Sequence, residues 1–362
     1  MQPWPRREAT PHETASRPMP SMPRCVGAFP TSSAPFQEIA MSSDIAERDG
    51  HGPAVETSGL SPSARFEEAD GWTKTAIRQT EATLDRILPC ADGRLTALHA
   101  AMRYAVFGGG KRLRPLLCHA AGELVDASRE ALAQVSAVIE MIHVFSLIQD
   151  DLPAMDNDDL RHGRLTLHKQ YDVATALLAS DGLISQAFLA LSEAPLPLDV
   201  RVALMRELAS SIGPSGLTGG QYIDLTSIGA HLDRTELEQM HRMKTGALIR
   251  AAVRMGVLCG TVPGAELGAA WRAVSEYGER LGLAYQVVDD ILDSTAATSV
   301  LGKTAGKDAR ANKATYVTVL GLDASRAWAR QLADEAWAAL APFGGQARFL
   351  RKLVERVLHR LS

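Results

Sequence analysis

The sequence predicts an all-α protein, a large helical bundle built around a central cavity, and three observations carry that prediction. Alanine and leucine dominate the apolar residues while aromatics make up only 5% of the chain, a balance that favours helices over sheets. From about Trp72 onward apolar residues recur at three- and four-residue spacing, with proline or glycine at the breaks. Neither strand-like alternation with turn chemistry nor a repeat of roughly 20–50 residues is evident. With 362 residues, 46% of them hydrophobic, the chain can bury one large core or two medium ones.

Taken in order, residues 1–65 hold ten of the 18 prolines among serine, glycine and charge, which is the composition of a disordered tail. Glu8, Glu13 and Glu38 sit among its arginines and argue against an organelle-targeting peptide, and Met41 offers an alternative start. Residues 66–362 then make the folded domain. Helices are expected near 72–87, 94–106, 115–126, 130–150, 172–192, 199–212, 233–258, 264–292, 326–342 and 345–360. No uninterrupted apolar run reaches the roughly 18 residues that cross a bilayer, so no membrane span is expected. Cys25, Cys90, Cys118 and Cys259 lack CxxC spacing, which leaves neither a zinc signature nor a disulfide framework and suits a reducing cytoplasm. A net charge of −4 on a mixed surface provides no broad basic face for nucleic acid and points to a small-molecule partner.

One stretch demands a cation. "LIQDDLPAMDNDD", Leu147 to Asp159, sets five aspartates in thirteen residues directly after an apolar helix. Pro153 ends or loosens that helix, so Asp150, Asp151 and Asp156 stand at its carboxyl end, where the helix dipole also disfavours anions. In "YQVVDDILD" the chemistry repeats: Asp289 and Asp293 share a helix face, with Asp290 beside them. All-carboxylate clusters suit hard divalent ions, and Mg²⁺ takes a few carboxylates plus waters and substrate phosphates. Taken alone, either cluster reads equally as a solvated acidic helix end; the pair, each after a long apolar helix, reads as two metal sites gripping a diphosphate.

Basic groups complete the pattern. In "FGGGKRLRP" the glycines let backbone approach a ligand, and Lys111, Arg112 and Arg114 put three cations within four residues, suited to phosphate oxygens. His143 lies two helical turns before Asp150 on roughly the same face, either a satisfied core histidine or a group aimed at the acidic rim. Arg161 and His162 follow the first cluster. Lys244 and Thr245 precede Gly246, whose place in mid-helix marks a kink. Lys303, Lys307 and Lys313 follow the second cluster, where a flexible lysine would close over an anion.

GGKRLRP, HxxxLIxDDLPAMDxDDLRxG, GGQxxDL, KTGAL, YQxxDDILD and LGKxxGKD occur in an order that resembles the trans-isoprenyl diphosphate synthases, the short-chain group of farnesyl and geranylgeranyl diphosphate synthases, over about residues 75–360. The resemblance implies the isoprenoid synthase type I-like fold, a homodimer, three Mg²⁺ ions, and transfer of an allylic group to isopentenyl diphosphate in isoprenoid and terpenoid biosynthesis. By the same resemblance Asp150, Asp151, Asp156, Asp289, Asp290 and Asp293 hold the allylic diphosphate through Mg²⁺, and Lys111, Arg114 and His143 hold isopentenyl diphosphate. Arg161, Lys244, Thr245, Gln286 and Lys303 contact the allylic substrate, and Gln221 lies near the reacting chain. His162 stands where the family commonly has a second arginine for isopentenyl diphosphate, and histidine is a weaker, pH-dependent cation.

Phe145, more than one turn below Asp150, either floors the cavity or packs between helices. In the family an aromatic here goes with farnesyl diphosphate as product, and geranylgeranyl diphosphate is the alternative. A class I terpene cyclase has a different second metal motif and no use for Lys111 and Arg114, and a non-catalytic partner subunit would lose aspartates that are complete here.

Overall fold

The computed structural model describes residues 62–91, 93–260, 264–295 and 313–361, so Lys303, Lys307 and the expected tail up to residue 61 lie outside the described residues. Helix α4 (Arg129–Asp151) is the axis of the fold: Ser128 caps its first turn by accepting from Ala131 N–H, and every residue from Ala131 to Ile142 is buried. The most extensive packing against it comes from α1 (Pro62–Ile87), α3 (Leu113–Gly122), α6 (Val173–Ser192) and α10 (Ala247–Leu258). Helix α2 (Thr96–Val106) rests on α6, α7 (Leu198–Ile212) on α10, and α11 (Gly264–Thr295) between α10 and α13 (Leu322–Ala339). Helix α14 (Arg348–Leu358) covers one end.

The expected all-α class is therefore what the chain adopts, with informative departures. The helix expected over 233–258 is divided into α9 (Arg234–His241), a π-helical turn (Arg242–Gly246) and α10. That turn is the form taken by the kink expected at Gly246, and such turns recur at functional sites. Helix α8 (Leu217–Thr226) was not expected at all, because Gly219 and Gly220 depress helix propensity. Tertiary packing overrides that preference: a Cβ on Gly220 would lie 2.2 Å from the backbone nitrogen of Lys244, so only glycine lets α8 meet the π turn. The described residues also contain a hairpin, β1 (Leu160–Arg161) paired with β2 (Arg164–Leu165). Its two-residue turn, His162-Gly163, has φ of 53° and 76°, the positive pair that matches strand twist. Short helices α5 (Leu167–Gln170) and α12 (Tyr316–Leu320) complete the set.

Two helices, α4 and α6, are long and apolar enough to cross a membrane by length and composition, which corrects the expectation that no segment reaches that length. An average over the helix tolerates isolated polar residues such as Glu140, which an uninterrupted-run reading does not. In α4 83% of that apolar window is buried inside the protein, as in a core helix, against 33% in α6.

Buried His119 lies 3.3 Å from Thr80 Oγ1 and 3.2 Å from Ser136 Oγ, which ties α1, α3 and α4 together. Burial pushes its imidazole down to about 4. Because the folded value lies below the ordinary 6.5, this group's contribution to stability is whole above about pH 6.5 and is lost as pH falls toward 4. The melting temperature should fall over that range, and His119→Gln, which keeps hydrogen bonding without titration, should flatten the slope when unfolding is followed by circular dichroism.

Candidate active site

The end of α4 folds back on itself. After Leu152 the amides of Asp156 and Asp158 donate to the carbonyls of Asp150 and Asp151, at 2.9 and 3.2 Å, so the loop returns its aspartates to the helix terminus. The hairpin that follows aims Arg161 at this rim, where Nε donates to Asp151 Oδ1 at 3.1 Å and Nη2 reaches Asp158 Oδ2 at 3.4 Å. Lys313, from the segment before α12, places Nζ 3.1 Å from Asp156 Oδ1. Burial raises Asp150, with Lys244 opposing it, and pushes Asp151 up to about 6 in spite of Arg161.

Opposite stands α11. Asp289 Oδ1 accepts from Arg360 Nη2 at 2.7 Å, and that guanidinium also lies 5.1 Å from the ring centre of Tyr285. Asp290 is engaged on both oxygens, Oδ1 by Gln286 Nε2 and Oδ2 by the Tyr316 amide, each at 2.8 Å. Gln286 in turn accepts from Thr245 Oγ1 at 3.1 Å, so the π turn, α11 and α12 are fixed to one another. Asp293 Oδ1 is buried without a hydrogen-bond partner, and so are both amide atoms of Gln221 on α8.

At the glycine-rich loop, Gly109 and Gly110 take φ of 107° and 108°, which side-chain-bearing residues rarely adopt. The His162 ring packs over this loop: a Cβ on Gly110 would lie 3.6 Å from Nε2. Burial, then Arg161, Arg112 and Lys111, push His162 down, so it faces the loop as a neutral group. His143 is neutral too, driven well down by burial and by Arg114, and its Nε2 accepts from Arg114 Nη1 at 3.3 Å. Arg114 Nε and His143 Nδ1 are buried and unpartnered. Lys111 remains exposed. Arg112 departs from the phosphate-facing role expected of it. It is 4% exposed and turned inward, donating to Glu140 at 2.7 Å, to Glu81 at 3.3 Å and to the Val106 carbonyl at 2.9 Å.

These walls enclose a cavity of about 600 Å³, within the range of small-molecule sites. Its lining brings together every expected site residue that is described except Phe145, which packs half-buried against the apolar core between two lining residues, Val144 and Ser146. Among the described residues no group of three His, Cys, Asp or Glu side chains converges closely enough to cage a metal alone. The donor set still fits Mg²⁺, which relies on substrate phosphates for much of its shell, and the unpartnered Asp293 oxygen leaves a place for a cation.

Reading the sequence missed Arg360, Asp224 and the Tyr316 amide. Asp224 stands inside the quoted GGQxxDL pattern, which was the available signal; nothing local marks Arg360, 71 residues from its partner.

An all-α bundle that sets two aspartate clusters and a glycine-rich basic loop around one cavity defines the class of enzyme that handles prenyl diphosphates. The chain belongs to the polyprenyl synthetase family, whose model matches residues 96–339. A probable farnesyl diphosphate synthase of Sinorhizobium fredii is 47% identical over 285 residues, covering 79% of this chain and 86% of the relative. Among solved structures, an FPP/GFPP synthase of Zymomonas mobilis matches with a TM-score of 0.71 at 35% identity, covering 80% of this chain and 99% of that one. A geranyltransferase of Helicobacter pylori, complexed with magnesium and isoprenyl diphosphate, also matches at 0.71, with 30% identity, 83% of this chain and 98% of that one.

Arg112→Ala should lower the unfolding free energy in urea by about 3–5 kcal/mol, since it strands the Glu140 carboxylate in the interior. Lys111→Ala, at an exposed position, should stay within about 0.5 kcal/mol of the unaltered protein.

Proposed function

We propose that this chain is a Mg²⁺-dependent short-chain prenyltransferase that joins isopentenyl diphosphate head to tail with an allylic diphosphate, and that its main product is farnesyl diphosphate. The observation that carries this reading is the division of charge around one cavity: carboxylates of α4 and α11 stand with Lys244 and Lys313, while Lys111 and Arg114, beside neutral His143, line the same space. Two anionic substrates need two sets of cations, and one cavity supplies both. The family match and the Sinorhizobium and Zymomonas relatives support it.

Asp150, Asp151, Asp156, Asp289 and Asp293 would hold the divalent ions, three as the family resemblance implies, which when bound neutralise charge on the departing diphosphate. Asp290 would join them, its carboxylate oriented by Gln286 Nε2 and the Tyr316 amide, from which it accepts. Lys244 and Arg161, which line the cavity, would meet charge that builds on the allylic leaving group. Thr245, fixed by Gln286, borders the reacting carbon, with Gln221 near the growing chain. Arg114 Nε–H and the Nδ1–H of neutral His143, whose Nε2 accepts from Arg114, are unpartnered and would donate to the second diphosphate, beside Lys111. The proton lost after bond formation goes to released diphosphate, so no protein nucleophile or base is needed.

Incubation with Mg²⁺, isopentenyl diphosphate and dimethylallyl diphosphate, followed by chromatography of the dephosphorylated alcohols, tests the assignment. Farnesol should dominate, and absence of any prenyl alcohol would overturn the reading. Phe145 stands on α4 between the lining residues Val144 and Ser146, so Phe145→Ala should lengthen the product to geranylgeraniol; unchanged farnesol would place the floor elsewhere.

We also propose a homodimer in the cytoplasm. Free Cys90, Cys118 and Cys259 fit a reducing compartment. The exposed side of α6 and the start of α7 carry Leu177, Leu178, Leu189, Leu198 and Val202, with Leu178 59% and Leu198 68% exposed, an apolar stripe suited to a second copy. Leu178→Glu should shift the protein toward monomer in sedimentation analysis while leaving its circular dichroism unchanged.

A further inference from the structure

Asp224 is buried on α8, outside both aspartate clusters, yet it is a meeting point for two of the cavity's lysines. Its Oδ2 accepts from Lys244 Nζ at 2.6 Å and from Lys313 Nζ at 3.1 Å. Lys313 Nζ simultaneously lies 3.1 Å from Asp156 Oδ1, so one ammonium is divided between α8 and the first cluster. The backbone makes this possible. Gly220 sits one turn before Asp224 on the same face of α8 and touches the Lys244 backbone, which brings the Asp224 carboxylate within reach of the lysine's tip. Burial would raise Asp224, but Lys244 and Lys313 outweigh it and hold the carboxyl below its usual value, so the anion persists.

We propose that Asp224 is a positioning residue: its carboxylate gathers the Lys244 and Lys313 ammonium groups at the mouth of the first cluster and shares Lys313 with Asp156, which weakens that ammonium's competition with a divalent cation for Asp156. This rests on the reading of the first cluster as a metal site. Lysine is a compact charge with three donors, so Lys313 goes wherever the stronger carboxylate lies. With Asp224 neutral, Lys313 would pair with Asp156 alone and compete with the metal. Lys244 would lose the contact that fixes its tip, although its net positive charge would still attract a diphosphate.

The experiment is an Mn²⁺ titration of the full chain by electron paramagnetic resonance, with no substrate present, on four proteins: unaltered, Asp224→Asn, Asp224→Glu, and Asp224→Asn combined with Lys313→Gln. Asp224→Asn should weaken Mn²⁺ binding about 10-fold or more, the usual effect of losing a partner behind a metal ligand. Adding Lys313→Gln should restore most of that affinity, because the competing ammonium is gone, and Asp224→Glu should bind more tightly than Asp224→Asn. Damage to the fold would not be repaired by a second substitution, so restoration separates positioning from a structural role. In steady state at limiting Mg²⁺, Asp224→Asn should raise the KM for the allylic diphosphate, and saturating Mg²⁺ should return it toward the unaltered value. Unchanged Mn²⁺ affinity in Asp224→Asn, or weak binding that persists in the double variant, overturns the inference. An unaltered chain that binds no Mn²⁺ either alone or with inorganic pyrophosphate present overturns the metal reading beneath it.

Discussion

Seven aspartates, two at the end of α4, two in the loop after it and three on α11, line one cavity, and ionised carboxylates crowded in such a place repel one another and lose hydration. The chain answers with its own cations. Arg161 pairs with Asp151 and Asp158, Lys313 with Asp156, and Arg360 with Asp289. Each cation comes from a different segment: the hairpin, the approach to α12 and the turn after α14. Under the proposed function, the pairs that hold the site together are the ones that would loosen on metal and diphosphate binding, and removing one partner strands a partly buried charge. Site assembly and the packing of these three segments are one problem.

Backbone devices meet that problem with little help from propensity. The two positive-φ glycines before Lys111 bring a basic loop under the His162 turn, and the π turn interrupts α9 and α10 where Lys244 and Thr245 reach the cavity. Helix α8 exists because it packs, since its paired glycines oppose it locally and allow it close contact with the π turn. Hydrogen bonds from Thr245 through Gln286 to Asp290, and from Tyr316 to the same carboxylate, then lock three elements in register.

Much of this was legible in the sequence for a physical reason. Asp150, Asp151 and Asp156, or Asp289 and Asp293, signal a cation because their spacing crowds charge onto one helix face or end, and that crowding needs no tertiary knowledge. Lys111 and Arg114 were legible as cations beside glycines. Direction was not: the basic run does not say that Arg112 turns inward, since its partner Glu140 looks like any polar residue of an apolar helix until α3 and α4 are packed. Pairings such as Lys313 with Asp156, 157 residues apart, arise only from the closed bundle. The hairpin was hidden for a different reason, since two-residue strands leave no alternation to read.

The central claim is that metal and diphosphate enter this site together, each relieving a charge the other leaves uncovered. Calorimetric titration of the unaltered protein with inorganic pyrophosphate, with and without Mg²⁺, tests it most directly. The account predicts that Mg²⁺ tightens pyrophosphate binding about 10-fold or more, and that pyrophosphate tightens Mg²⁺ by the same factor, as linkage requires. Pyrophosphate affinity that is indifferent to Mg²⁺ would mean that the aspartates keep their internal partners throughout, and would contradict it.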